Sequence, residues 1–470
     1  MKSKGVSMSV RIAVFGLGYL GATHALCMAE LGHDVVGVDV DAAKVAMLQS
    51  GQLPFYEPGL GEVLERNLAA GRLRFTTSYA DAAQFARVHF LAVGTPQLPG
   101  SLAADLSHVD AVIDSLAPLL TEPAVVFGKS TVPVGTAKRL AERVRDLAPA
   151  AERVEFAWNP EFLREGFAVQ DTLKPDRLVL GVDSARLGRA EAVAREVFAP
   201  LLDDGVPLLV TDWATSELVK VAANAFLATK ISFINAMAEV CERTGADVSM
   251  LAEAIGYDPR IGREFLRAGI GFGGGCLPKD IRAFSARADE LGAIGVPAIL
   301  NTVDEINIRS RRRAVDVTRE VCGSLPGARI AVLGAAFKPD SDDVRDSPAL
   351  DIANQLQLYG ADVTVYDPMA IASARMRFPG LGYASTIREA CANADAVLVL
   401  TEWAEFRKLV PRDLDTVVRA KVIVDGRNCL DRAGWQDAGW TYRGFGRPQF
   451  PGPGTGGRAQ QLETALAVSP

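Results

Sequence analysis

The chain has 470 residues, 49% of them apolar and 23% charged, with a formal net charge of −7 and a pI near 5.4. One hydrophobic core rarely grows beyond about 250–300 residues, so two or three domains are expected. The acidic balance argues against binding to nucleic acid or an anionic membrane, and any phosphate ligand must be held by local donors.

Cys27, Cys241, Cys276, Cys322, Cys391 and Cys429 show neither paired nor metal-type spacing. That fits a reducing, cytoplasmic compartment and predicts no metal site. Residues 1–10 hold no apolar stretch of signal-peptide length, and no run reaches the ~18 apolar residues of a membrane helix. They are expected to be an N-terminal extension.

In chain order, an apolar strand over Arg11–Phe15, a glycine turn, an alanine-rich helix over Tyr19–Leu31 and a strand over Asp34–Asp39 form a βαβ unit. Buried-type strands follow at Val88–Val93, Ala124–Gly128 and Arg177–Val182 between helical patterns. This alternation predicts a parallel, doubly wound sheet over 11–211.

A long helix is expected from Asp212, its N-cap, to Arg243, where Gly245 stops it. With helices over Asp247–Ile255, Asp280–Leu291 and Pro297–Val321 it makes an all-helical middle, 212–322, suited to a dimer surface. The alternation then restarts. Ile330-Ala-Val-Leu-Gly334 echoes Ile12-Ala-Val-Phe-Gly16, Val363-Thr-Val-Tyr-Asp367 echoes Val35-Val-Gly-Val-Asp39, and strands at Ala396–Thr401 and Val422–Asp425 complete a second lobe over 323–450. The expected fold is α/β: two Rossmann-like, doubly wound parallel-sheet lobes joined by a long central helix and a helical dimerisation region, with a flexible tail over 451–470.

Gly16-Leu17-Gly18-Tyr19-Leu20-Gly21 stands between strand and helix, where a three-glycine turn lets a pyrophosphate approach the helix N-terminus. Asp39 ends the second strand, where a carboxylate accepts from ribose hydroxyls. Val40, Asp41 and Ala42 offer no arginine for a 2′-phosphate, so the cofactor expected is NAD. The second lobe has Gly334-Ala335-Ala336-Phe337-Lys338 instead, and should bind something other than a second dinucleotide.

Gly271-Phe272-Gly273-Gly274-Gly275-Cys276-Leu277-Pro278-Lys279-Asp280 places a cysteine where bulky side chains cannot shield it, with Lys279 and a helix N-terminus to favour the anionic sulfur. A buried, inert cysteine in a glycine-rich turn is the plain alternative. Lys220 and Asn224 lie four apart on one helix face, although spacing alone favours a snorkelling surface lysine over a pocket lysine. Glu161 and Glu165 are also four apart and could share a helix face, or form an exposed pair with Arg164. Lys338 and Arg345 are cations at the carboxyl edge of the second sheet, or else compensate Asp340, Asp342, Asp343 and Asp346.

Together these segments resemble the nucleotide-sugar 6-dehydrogenases over about residues 10–450. The resemblance rests on Gly16–Gly21, Lys44, Tyr56–Leu60, Gly94-Thr95-Pro96, Ser130–Thr136, Asn159–Gly166, Glu217–Phe226, Arg260–Asp280, Phe337–Pro348 and Asp425–Asn428. It implies a double, NAD-dependent oxidation of a sugar C6 alcohol to a carboxylate, with Cys276 capturing the aldehyde as a thiohemiacetal that becomes a thioester and is hydrolysed. Lys220 then matches the group that stabilises the reacting oxygen, and Asp280 the carboxylate that moves protons with a bound water. Thr131, Glu161, Glu165 and Asn224 match groups positioning that water and the sugar.

The same matching puts the Gly16–Gly21 turn with Tyr19 and Leu20, Asp39, Lys44, Thr95, Thr131, Glu165, Cys276, Lys279 and Arg345 on the cofactor. Glu161, Phe162, Leu163, Lys220, Asn224, Arg260, Phe265, Gly273, Phe337, Lys338 and Arg427 fall on the nucleotide sugar, Arg260 reaching from the partner of a homodimer. Gly275 departs from a frequent serine, and Leu277 from an aromatic common in enzymes acting on UDP-glucose. Arg260-Ile261-Gly262 with Phe265-Leu266 looks like that subgroup, so UDP-glucose is the first substrate expected, with GDP-mannose, UDP-N-acetylmannosamine or UDP-N-acetylglucosamine second.

Overall fold

The computed structural model describes residues 9–184 and 188–448; the expected tail over 451–470 and nearly all of the N-terminal extension lie outside them. The chain packs as two compact units. The first comprises residues to Phe226 with Cys276–Asn301 and Asp340–Asp342; the second comprises Leu227–Gly275, Thr302–Pro339 and the residues from Asp343.

In the first unit the strands are β1 (Arg11–Phe15), β2 (Asp34–Val38), β3 (Leu73–Thr76), β4 (Val88–Leu91), β5 (Ala124–Gly128), β6 (Val154–Trp158), β7 (Leu178–Val182) and β8 (Leu208–Asp212). They form one sheet in the order β3-β2-β1-β4-β5-β6-β7-β8. The first six are parallel. β7 joins β6 antiparallel through the single pair Trp158↔Gly181, and β8 runs parallel to β7.

Alternate residues of one strand enter different cores: Ile12 and Val14 pack on one face with Leu26, Phe90 and Phe127, and Ala13 and Phe15 on the other with Leu91, Val126 and Trp158. A sheet covered on both faces needs strands that are apolar throughout, which is why these read as unbroken hydrophobic runs.

The long helix runs over Trp213–Thr244, and Asp212 caps it by accepting from the Thr215 N–H at 2.8 Å. Contrary to the expectation from uninterrupted apolar runs, this helix is long and apolar enough to cross a membrane by length and composition. However, 44% of its most apolar window is packed inside the protein, and Glu217, Lys220 and Asn224 are buried along one of its faces. Helix Leu277–Glu290 begins three residues earlier than expected, because Pro278 falls in the first turn, where no N–H is needed.

The second unit carries β9 (Arg329–Leu333), β10 (Asp362–Tyr366), β11 (Gly382–Tyr383), β12 (Ala396–Val399), β13 (Val422–Asp425) and β14 (Thr441–Gly444). All are parallel, in the order β11-β10-β9-β12-β13-β14. A smaller helical core packs Ile234, Ala238, Cys241, Val248, Leu266 and Ala268. Asp367, the counterpart of Asp39, turns back on its own unit, accepting from the N–H groups of Ala335 (2.7 Å) and Ala336 (3.0 Å) and from the Trp403 indole (3.1 Å).

His24 and His89 are buried in the first unit. His89 has no hydrogen-bond partner on either ring nitrogen and His24 none on Nε2. Burial holds the His24 imidazole well below its usual value and lowers His89 to about 3. The unfolded chain takes up these protons near pH 6.5 and the folded chain does not, so stability is lost as pH falls below 6.5. The stability difference between wild type and His89→Phe is therefore expected to move against the wild type by about 1.6 kcal/mol in all between pH 6.5 and 5. Urea unfolding at several pH values measures it, and a pH-independent difference would contradict it.

Candidate active site

The carboxyl edge of the first sheet gathers the cofactor-type residues. Gly16 has φ +90°, and a Cβ at Gly21 would stand 1.7 Å from the Gly16 carbonyl oxygen, so the turn closes only with glycine at both places. Helix Tyr19–Glu30 starts with no side-chain cap and no acidic residue in its first turn, leaving its first N–H groups for an anion.

Asp39 is buried, accepting from the Leu17 N–H (2.7 Å), the Asp41 N–H (3.0 Å) and the Lys44 ammonium (3.0 Å). Burial alone would raise its carboxyl, but these donors outweigh it and hold the group below the usual carboxylate range. An ionised Asp39 repels a 2′-phosphate. We expect kcat/KM for NAD to exceed that for NADP by roughly 100-fold, and Asp39→Ala to narrow the ratio; equal values for the two cofactors in the wild type would contradict this.

Tyr19, first in that helix, donates to buried Glu57, which also accepts from the N–H groups of Gly166 (2.6 Å) and Ala168 (2.7 Å). Burial, then Glu57, pushes the Tyr19 phenol far above its usual value. Glu57 thus ties the glycine turn to the segment holding Glu165, whose carboxylate accepts from the Ser341 hydroxyl at 3.1 Å.

Residues 161–165 are not helical, which corrects the shared-face expectation: Pro160 and Gly166 (φ +79°) bracket a loop, and the next helix begins at Ala168. Glu161 turns back to accept from the Leu163 N–H at 2.6 Å. Arg164 pairs with Asp171 at 2.7 Å.

The catalytic-type residues meet beside this loop. Lys220 is only 6% exposed, so the surface-lysine alternative falls. Its Nζ stands 3.4 Å from Glu161 Oε1 and 5.5 Å from the Phe162 ring centroid; the Arg177 guanidinium also lies over that ring, at 4.0 Å. Burial would lower the Lys220 ammonium, but Glu161 first, with Asp280 and an ionised Cys276 in the same sense, raises it.

One helical turn on, Asn224 Nδ2 donates to Asp280 Oδ2 at 2.7 Å, and Lys279 Nζ lies 2.5 Å from Asp280 Oδ1. Cys276 is exposed as a residue, while protein crowds its sulfur. That crowding, then Asp280, pushes the thiol up to about 11, against the pull of Lys220 and Lys279. Asp280 engages Lys279 and adds its own negative field, so it works against the thiolate that Lys279 and the helix N-terminus would favour.

Thr95 Oγ1 donates to the Thr131 carbonyl at 2.7 Å. Glu217 accepts from the N–H groups of Gly135 (2.7 Å) and Ala137 (2.6 Å); burial raises it to about 7 in spite of these donors. A narrow cleft opens here, lined by Thr95, Thr131, Lys279 and Asp280 and by apolar Val132, Leu218, Val221 and Phe284. Apolar walls with a few convergent polar groups are the usual make-up of a small-molecule site.

In the second unit, a Cβ at Gly273 would lie 2.2 Å from the Asp346 carbonyl and one at Gly274 2.8 Å from the Phe337 ring. Arg427 donates to the carbonyls of Gly271 (2.9 Å), Leu400 (2.9 Å) and Phe337 (3.2 Å). Gly273, Phe337 and Arg427 are thus brought together, and Lys338 Nζ lies over the Phe337 ring at 5.6 Å. Arg345 pairs with Asp343 at 2.7 Å. Phe265 holds a left-handed backbone, φ +64°. Arg260 stands apart, 87% exposed and paired with Asp258.

Comparison with known proteins agrees along the chain. Family models of the UDP-glucose/GDP-mannose dehydrogenase family match residues 10–202 (NAD binding domain), 214–309 (central domain) and 331–432 (UDP binding domain). The chain is 44% identical to a UDP-glucose 6-dehydrogenase of Rhizobium meliloti, over 93% of its own length and 100% of the relative's. It is 41% identical to UDP-glucose 6-dehydrogenase TuaD of Bacillus subtilis, over 94% of each. Among solved structures, a UDP-glucose dehydrogenase from Pyrobaculum islandicum superposes with TM-score 0.84 at 39% identity, covering 90% of this chain and 95% of that one. A UDP-D-ManNAc dehydrogenase from Pyrococcus horikoshii gives TM-score 0.82 at 28% identity, covering 94% and 100%.

Proposed function

This chain belongs to the UDP-glucose/GDP-mannose dehydrogenase family, and on that ground we propose that it oxidises UDP-glucose to UDP-glucuronate, through a covalent bond to Cys276. The observation that carries the proposal is the grouping of a thiol, a buried ammonium and a buried carboxylate at Cys276, Lys220 and Asp280. A dehydrogenase that stops at a carbonyl has no use for the thiol.

NAD is the cofactor of the first unit. The uncapped helix N-terminus and the ionised Asp39 suit its pyrophosphate and a ribose hydroxyl pair. Bound there, NAD would supply the hydride acceptor for the oxidation of C6, with one molecule for the alcohol and a second for the thiohemiacetal.

The chain's own residues handle the remaining chemistry. Asp280, through a water, receives the alcohol proton, and the charged Lys220 stabilises the oxygen as negative charge develops. Burial pushes the Cys276 thiol up to about 11, so it is the thiol form that enters the reaction. Once the alcohol proton has left Asp280 for solvent, the Sγ–H proton is relayed through Asp280 and its water to the aldehyde oxygen as the S–C6 bond forms, giving a neutral thiohemiacetal. After the second oxidation, water attacks the thioester carbon, the C–S bond breaks, Sγ regains a proton and the carboxylate leaves. Asn224, donating to Asp280, and Thr131 and Glu161 hold the water and the sugar.

The nucleotide falls to the second unit, whose UDP binding domain match spans the Phe337 and Arg427 cluster. A homodimer is the assembly proposed. On the long helix Phe226, Phe233 and Val240 are exposed at seven-residue spacing, a stripe suited to a second copy, and Arg260 is exposed enough to serve a neighbour. The six free cysteines fit a cytoplasmic location.

A panel of UDP-glucose, UDP-N-acetylglucosamine, UDP-N-acetylmannosamine and GDP-mannose with NAD, read by NADH release, tests the substrate. UDP-glucose should give the highest kcat/KM, and a higher value for any other sugar would overturn the assignment.

A further inference from the structure

A second buried lysine lies behind the first. Lys129 follows β5 directly and is 6% exposed. Its Nζ donates to Asn159 Oδ1 at 2.8 Å and Asn159 O at 3.4 Å and lies 5.9 Å from the Phe90 ring centroid. Asn159 is fully buried at the end of β6: its N–H donates to the Gly128 carbonyl (2.7 Å) and its Nδ2 to the Val179 carbonyl (2.8 Å).

The Lys129–Asn159 pair therefore stitches the ends of β5, β6 and β7 at the carboxyl edge. Two residues beyond Lys129 comes Thr131, and two beyond Asn159 comes Glu161. An ammonium buried on neutral acceptors alone is a costly arrangement that a packed sheet does not require, since an apolar pair would close the same strand ends.

We infer that Lys129 is a positioning residue for the proposed oxidation: its ammonium holds the turn that presents Glu161 to Lys220 in register with the strand end that presents Thr131. The inference rests on the function proposed above. The charged groups facing Lys129 are Glu161 on that turn and Lys220 on the long helix, with the neutral His24 on helix Tyr19–Glu30.

Burial first lowers Lys129, Glu161 raises it and Lys220 lowers it again, the balance being about 8. A charged amine donates a markedly stronger hydrogen bond than a neutral one. The clamp is thus at full strength below pH 8 and loosens as pH rises through it.

The test is the pH dependence of kcat, from pH 6 to 10, in wild type, Lys129→Met, Lys129→Gln and Lys129→Arg, with circular dichroism and NAD affinity confirming the fold. The wild type should show an alkaline fall in kcat near pH 8. The two neutral variants should sit roughly tenfold lower in kcat at neutral pH and lack that step. Lys129→Arg, charged throughout, should keep kcat and move the fall up by at least about one pH unit.

A neutral variant with wild-type kcat and the same step would overturn the inference. If neither neutral variant folds, wild type against Lys129→Arg carries the test alone, and an unmoved step contradicts it. A wild type that fails to turn over UDP-glucose would sink the underlying function, whereas normal turnover with an unmoved profile sinks only the role of Lys129.

Discussion

Cys276→Ala is expected to release no UDP-glucuronate from UDP-glucose and NAD, under conditions where the wild type completes many turnovers. The first oxidation needs a proton acceptor and the nicotinamide, and both remain when the sulfur is gone, so traces of it should persist. The second requires a tetrahedral carbon that can lose hydride, and Cys276 is the thiol that stands with Lys220 and Asp280 in this site. The geometry gives the loss its size, because the variant removes a bond-forming atom rather than a favourable contact. Product analysis by chromatography measures it, and normal double oxidation by the variant would refute the covalent route outright. Circular dichroism should be unchanged, since Cys276 lies in the glycine-rich loop and in none of the hydrophobic cores.

Lys220→Ala should lower kcat by about 10³-fold, the scale on which a preorganised donor to a developing oxyanion acts. The substitution removes the ammonium and also strands Glu161, its partner at 3.4 Å. NAD affinity should stay within about threefold of the wild type, because the donors around Asp39 and the glycine turn are untouched. Pre-steady-state kinetics with NAD titration separates the two quantities. A rise in KM with unchanged kcat would show that Lys220 only binds sugar.

The parts of the fold that were legible in the sequence are those where one physical demand dominates. β1, β5 and β13 are buried on both faces, so their apolar runs could be read directly, and Asp212 is the N-cap its position suggested. The strands that escaped are short, partly polar or exposed. β3 alternates with Arg74, β11 has two residues, β14 is mostly polar, and half-exposed β8 runs straight into the long helix. β6 also escaped, its Val154–Trp158 run interrupted by Glu155.

At the site, Lys220 and Asn224 were legible because helical spacing is fixed by geometry. Glu161 and Glu165 misled because spacing by four implies a shared face only inside a helix, and Pro160 and Gly166 make this segment a loop. Lys129 and Glu217 left a fainter signal: a lysine at the end of the apolar strand Ala124–Gly128, and a carboxylate one turn before Lys220 on the same face. The state of the Cys276 thiol was beyond reach of sequence, because it depends on Asp280 engaging Lys279.

The central claim is a four-electron oxidation on one enzyme without release of the aldehyde, and the yield of NADH per sugar tests it most directly. With UDP-glucose limiting, NAD in excess and the reaction run to completion, about two NADH and one UDP-glucuronate should form per UDP-glucose, with no aldehyde captured by an added hydrazine. A yield of one NADH per sugar, with aldehyde accumulating in the trap, would contradict the account.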